Sequence, residues 1–228
     1  MVVIAWLVWL VATYFIANFL VAGVFSILPE NIFANETIMY FVLYLAVYTL
    51  MLLVGLGAPY LVRYKLNLPS FKKILGLERK PKLGDFGRAL SFALLYFVIL
   101  FTVMLPLNFL FPDLMSQEQE IGFSISDSSP LALVGIFLTL VVLAPISEEL
   151  LMRGLFFNRL RSRLSFFWAS FLVSLAFAVA HWQPNVGIDT FILSMVLCCA
   201  REETGAIYTS ILIHALKNSV AFSALLLI

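Results

Sequence analysis

The sequence predicts an all-α fold, a polytopic transmembrane helical bundle. Three observations predict it. The 228-residue chain is 63% hydrophobic and only 12% charged, whereas soluble domains carry about 45–50% apolar and about 25% charged residues. Its mean hydropathy is +1.04. Apolar runs recur at 2–28, 38–62, 89–111, 131–151, 165–183 and 205–228, with a shorter one at 188–200, and about 20 such residues cross a bilayer as a helix.

The first run, Val2 to Leu28, is too long for the apolar core of a signal peptide, and no Lys or Arg precedes it. It reads as the first span. The separators carry turn and polar signals: Pro29-Glu30-Asn31, the charged stretch 63–88, and Pro112 through Pro130. Segment 63–88 holds eight basic residues and 152–163 holds four. The stretches 29–37, 112–130 and 184–190 hold none, only the acids Glu30, Glu36, Asp113, Glu118, Glu120, Asp127 and Asp189. Lys and Arg mark cytoplasmic loops. About seven spans with a cytoplasmic N-terminus put every basic loop on one side. An eighth crossing needs a re-entrant or interfacial helix, for which 69–80 is the candidate. The chain therefore reads as one integral domain over 1–228, in contact with the lipid bilayer of the cell membrane. A net charge of +1 gives no argument for nucleic acid. The adjacent Cys198 and Cys199 suit neither a disulfide nor a zinc ribbon and read as packing residues.

Polar clusters interrupt the later runs: Glu148-Glu149 with Arg153, Phe177 with His181, and His214 with Asn218. An ionisable group inside a bilayer costs roughly 2.5–3.5 kcal/mol on insertion scales. If 131–163 and 165–183 form an antiparallel hairpin turning near Leu164, Glu148 lies 16 residues before the turn and His181 lies 17 after it. Both then sit about 24–26 Å from the turn, at matching height. Pro184 follows His181 closely, and irregular backbone at depth requires protein or a wet cavity beside it. A polar cavity next to His181 is therefore expected. His214 and Asn218 share a helix face, as do Glu149 with Arg153 and Phe177 with His181.

These residue types suit hydrolysis of an amide. Such a reaction needs a base for water, a group to place the water and donors for the oxyanion. Glu148 is the candidate base, with His181 helping to hold the water. His214 and Asn218 are candidate N–H donors. Arg153 can pair with Glu149 and offset its buried charge, which gives both a partly structural role. Pro145 can open the helix backbone nearby. Glu148, His181 and His214 would also make a His/His/carboxylate zinc set. The residues leave metal-held and glutamate-held water open, with no cofactor favoured.

Each pair alone reads more simply. His214/Asn218 could be interhelical glue, Glu149–Arg153 a structural ion pair and Phe177 a packing residue. Lys217 pairs or snorkels, and Arg201-Glu202-Glu203 reads as a solvated turn. Coincidence in depth of three clusters is what these simpler readings leave unexplained.

The residues resemble a family. Ala144-Pro145-Ile146-Ser147-Glu148-Glu149-Leu150-Leu151-Met152-Arg153-Gly154 is similar to the first motif of the CPBP intramembrane proteases. That group holds the type II CAAX prenyl endopeptidases and the bacterial Abi or bacteriocin-immunity proteins. Phe177-x-x-x-His181 resembles the second motif and His214-x-x-x-Asn218 the last. The likeness covers 131–222, a catalytic core, and segment 188–205 departs from the family's glycine-rich pattern. The resemblance implies an endopeptidase acting near the cytosolic face on a peptide or membrane-protein substrate. Glu148 and His181 would activate water, His214 and Asn218 would form the oxyanion hole, and Glu149 and Arg153 would complete the site. Two other classes stay open. One is a non-proteolytic scaffold or immunity protein on the same fold. The other is a proton-coupled transporter, which the absence of a repeated half disfavours.

Overall fold

The computed structural model describes residues 2–29, 36–117 and 129–227. These residues form nine helices and no strands. The order is α1 (Val2–Phe25), α2 (Glu36–Leu52, running on through Leu53–Gly57 and Ala58–Val62), α3 (Leu68–Leu75), α4 (Leu83–Leu110), α5 (Pro112–Met115), α6 (Pro130–Arg161), α7 (Phe166–Val179), α8 (Pro184–Thr204) and α9 (Tyr208–Leu225). Of the sequence's acidic loop residues, Glu30, Glu118, Glu120 and Asp127 lie outside the described residues.

Among the described residues, four helices are long and apolar enough to cross a membrane: Ile4–Phe25, Ile38–Val62, Leu83–Leu110 and Pro130–Arg161. Helix α7 is apolar but shorter. The sequence count of about seven also included the last two segments. Helix α8 carries Asp189, Arg201, Glu202 and Glu203, and α9 carries His214 and Lys217, which lowers their hydropathy. Two boundaries also differ from the sequence reading. Helix α7 ends at Val179, before His181. Helix α8 is not a short run at 188–200 but starts at Pro184 and spans 21 residues. The stretch 69–80 contains the short amphipathic α3, capped by Asn67 and closed by Gly76 at φ 74°.

Apolar packing between helices fixes the core. Ala89, Ala93 and Tyr96 of α4 meet Leu193, Val196 and Leu197 of α8 and Ile213 of α9. Phe156, Phe157 and Leu160 of α6 meet Ala169, Val173 and Phe177 of α7 and Cys198 of α8. Helix α1 packs on α2 through Ala17, Val21 and Val47. Gly55 lets α1, α2 and α6 converge, since a Cβ there would meet Leu151 at 2.5 Å and Thr13 at 2.9 Å.

Helices α2 and α6 are not uniform. Wider π turns run over Leu53–Gly57 in α2 and over Leu138–Leu143 and Leu150–Phe157 in α6. Each helix also contains a proline, Pro59 and Pro145, which donates no backbone hydrogen bond. The carbonyls this frees take side-chain donors from neighbouring helices. Trp9 Nε1 donates to Gly55 O at 3.2 Å, four residues before Pro59. Asn218 Nδ2 donates to Leu140 O at 2.7 Å. In the π turn the Ala144 N–H bonds Thr139 O, so Leu140 O is the acceptor that Pro145 would have served. The sequence places Pro145 as an opening in the helix, and the structure adds that α9 closes it.

Of Arg201, Glu202 and Glu203, which the sequence suggested as a solvated turn, both glutamates are exposed and only Arg201 departs from that reading. All three lie in the last turn of α8, which Gly205 ends at φ 65°. Arg201 is buried, Glu202 pairs with Arg161, and Glu203 pairs with Arg88.

Candidate active site

Glu148 and Glu149 occupy the α-helical turn Ala144–Glu149, between the two π turns of α6. π turns recur at functional sites because they rotate side chains out of helical register. Here the two adjacent carboxylates have different surroundings. Glu149 is fully buried, and its Oε1 accepts from Arg153 Nη1 at 2.9 Å and contacts His214 Nδ1 at 2.9 Å. Glu148 is partly open, with a side-chain exposure of 18%. Its Oε1 accepts from the Tyr48 hydroxyl at 3.2 Å. Its Oε2 lies 3.9 Å from His214 Nε2, beyond direct hydrogen-bond length.

His214 therefore bridges the two carboxylates. The Glu149 contact at Nδ1 orients its ring. Nε2 then faces Glu148. Arg153 is fully buried and stacks over the Phe177 ring, with its central carbon 4.8 Å from the ring centroid. Glu148, Glu149, Arg153 and His214 meet here, and the ion pair with Arg153 offsets the cost of burying Glu149.

Phe177 is more than packing. The edges of both imidazoles approach its ring, with centroids at 4.8 Å for His181 and 5.9 Å for His214. His181 and His214 thus both contact the Phe177 ring. His181 Nδ1 pairs with Phe177 O at 2.7 Å. Among the described residues no hydrogen bond joins His181 to Glu148. The chain turns sharply there, with Trp182 at φ 58°, a conformation that a bulky residue rarely adopts.

A cavity of about 660 Å³ opens beside this turn, lined by Ala178, Val179, Trp182, Gln183, Phe191 and Ile192 among others. The sequence reading expected a polar cavity. The lining is apolar apart from Gln183 and the Trp182 indole N–H, and α8 contributes Ile188 and Phe191 to it.

Two groups in and near the site were not legible in the sequence. Tyr48 is one aromatic among many in an apolar run. Asp189, read as a loop acid, is in α8, where it pairs with Lys217 Nζ at 3.0 Å and accepts from the Tyr96 hydroxyl. Lys217 pairs, as one of its two expected behaviours. Among the described residues, no three His, Cys, Asp or Glu side chains are grouped so as to hold a metal ion. Within the zinc set of Glu148, His181 and His214, His214 Nε2 lies 3.9 Å from Glu148 Oε2, and His181 Nδ1 contacts the Phe177 carbonyl.

This geometry lies within a recognisable segment. Residues 130–220 match the Rce1-like family of type II CAAX prenyl endopeptidases. The match runs from the start of α6 through Asn218 and contains all six candidate residues. An uncharacterised 24.3 kDa protein of Escherichia coli is 34% identical to this chain over 82 residues, 34% of this chain and 38% of that protein. The chain thus spans well under half the length of that relative. No solved structure matches. Tyr48, on α2, stands outside the family-matched segment.

Proposed function

We propose that the chain is an intramembrane endopeptidase that hydrolyses a peptide bond of a membrane-associated or lipidated substrate near the cytosolic face. The observation that carries this reading is the division of labour between adjacent carboxylates. Buried Glu149 binds Arg153 and His214, while the more open Glu148 turns one oxygen toward Tyr48 and the other toward His214.

In this reading a water sits against Glu148 Oε2. Glu148 takes its proton as the water oxygen attacks the carbonyl carbon, so the carboxylate becomes a carboxylic acid and the carbonyl an oxyanion. His214 Nε2–H donates to that oxyanion, its ring held by Glu149 at Nδ1. Asn218 spends one amide hydrogen on Leu140 O and has a second for the oxyanion. Collapse breaks the C–N bond, and Glu148 returns its proton to the leaving amine. His181, in contact with the Phe177 ring, helps hold the water. Arg153 holds Glu149 and the helix turn in place. This route uses no metal. Membrane orientation follows from the basic loops: about seven spans with the N-terminus inside.

Purified protein in liposomes, offered a pool of plain and prenylated peptides, tests this reading by mass spectrometry of products. Wild type should yield products that Glu148→Gln, accumulated to the same level, does not. Products from neither would favour a non-proteolytic scaffold on the same fold.

A further inference from the structure

The segment joining α2 to α4 carries positive charge that the protein itself does not neutralise. Arg63, Lys65, Lys72, Lys73, Lys80 and Lys82 are all exposed. Among the described residues, none of the six forms an ion pair. The neighbouring cations are committed: Arg79 to Asp85, Arg88 to Glu203 and Arg161 to Glu202. Glu78 is the sole acid in 63–82, so six free cations face one carboxylate.

The surface is held rigidly. Helix α3 buries Phe71 and Leu75 against the bundle and turns Lys72 and Lys73 outward. Its last turn is bonded to the body, with Ile74 O accepting from Asn158 Nδ2 at 2.6 Å and Gly76 O accepting from the Ile207 N–H at 3.2 Å. Gly76 is needed for that approach, because a Cβ would meet the Arg201 guanidinium at 2.7 Å. Large apolar side chains alternate with the cations: Val62 is 79% exposed, Leu66 58% and Leu83 87%. Val62 ends one candidate span and Leu83 begins the next, so the patch lies at the height where hydrocarbon gives way to headgroups.

We propose that this surface binds the anionic phospholipid headgroups of the leaflet it faces. The cations supply charge complementarity, which for Lys/Arg clusters beside spanning helices attracts anionic lipid and decays within a Debye length. The exposed leucines and Val62 select a bilayer over a soluble polyanion, because a nucleic acid or free phosphate would leave them in water. A lipid that binds only the folded bundle raises its thermal stability by mass action.

The test uses the full chain in a neutral maltoside detergent, with thermal unfolding followed after adding phosphatidylglycerol, phosphatidylcholine of the same acyl chains, or inorganic phosphate. Phosphatidylglycerol should raise the midpoint by about 5 °C more than phosphatidylcholine. That difference should vanish at about 0.5 M NaCl, where screening is short-ranged, and in the variant Lys72→Gln/Lys73→Gln/Lys80→Gln/Lys82→Gln. An unchanged response of the variant to phosphatidylcholine shows that it folds. The pair Lys72→Gln/Lys73→Gln, on the outer face of α3, should lose part of the difference and serves if the fourfold variant fails to fold. Equal shifts from the two lipids, a phosphatidylglycerol preference that survives in both variants, or the same shift from inorganic phosphate alone would overturn the proposal.

Discussion

The hydroxyl of Tyr48 donates a hydrogen bond to Oε1 of Glu148 at 3.2 Å, across 100 positions of sequence. It ties α2, outside the family-matched segment, to the candidate base on α6. Hydrogen bonds to charged groups contribute about 1.5–3 kcal/mol in mutational series. Tyr48→Phe should therefore lower peptide-bond cleavage by about tenfold or more, with protein accumulation unchanged. Cleavage rates at matched protein levels check this, and an unaltered rate would remove Tyr48 from the site.

Asn218 and Pro145 are coupled through Leu140. Proline removes the donor for the Leu140 carbonyl, and the Asn218 amide replaces it. Asn218→Ala should destabilise the bundle by about 1–2 kcal/mol, the upper range for interhelical hydrogen bonds in membranes. In a Pro145→Ala background, where a backbone N–H returns, the same substitution should cost less. A double-mutant cycle of unfolding free energies measures the difference. Additive effects would mean that the Leu140 contact contributes nothing beyond packing.

Much of this site was legible because charge in an apolar run is conspicuous. Glu148, Glu149, Arg153, His181, His214 and Asn218 stand out against their neighbours, and helical rise alone placed Glu148 and His181 at similar height. Pairing was less legible. Tyr48 carries no signal in a chain with 15% aromatic residues, because its role depends on how α2 packs against α6. Asp189 looked like a loop acid because Pro184 precedes it, yet proline in the first turn starts α8. Arg201 looked solvated from its acidic neighbours, but burial depends on Gly76 and α3 docking from far upstream. The cavity beside His181 was foreseen and its largely apolar lining was not, since α8 contributes Ile188 and Phe191 to it.

Glu149 and Arg153 are both fully buried and hydrogen-bonded to each other. Removing one partner of such a pair costs about 3–5 kcal/mol, whereas neutralising both costs less. Arg153→Met should sharply reduce accumulation of folded protein. Arg153→Met/Glu149→Gln should recover part of it but remain inactive, because His214 then loses its carboxylate. Detergent-soluble monodisperse yield and cleavage, read side by side, separate the structural from the chemical role.

The pair of Lys217 and Asp189 joins α9 to α8 at 3.0 Å, and both side chains are mostly buried. Lys217→Met leaves the Asp189 carboxylate with the Tyr96 hydroxyl as its hydrogen-bond donor. A loss of about 1–3 kcal/mol is expected, the cost of an under-satisfied buried group. Lys217→Met/Asp189→Asn should regain most of it. Thermal midpoints of the three variants check this, and equal midpoints for the single and double variants would show that Asp189 is satisfied without Lys217.

The most direct test of the central claim is peptide cleavage in liposomes by wild type, by Glu148→Gln and by chelator-treated wild type. A glutamate-activated water predicts products that survive chelation and disappear in Glu148→Gln. Products abolished by chelation, or undiminished in Glu148→Gln, would contradict it.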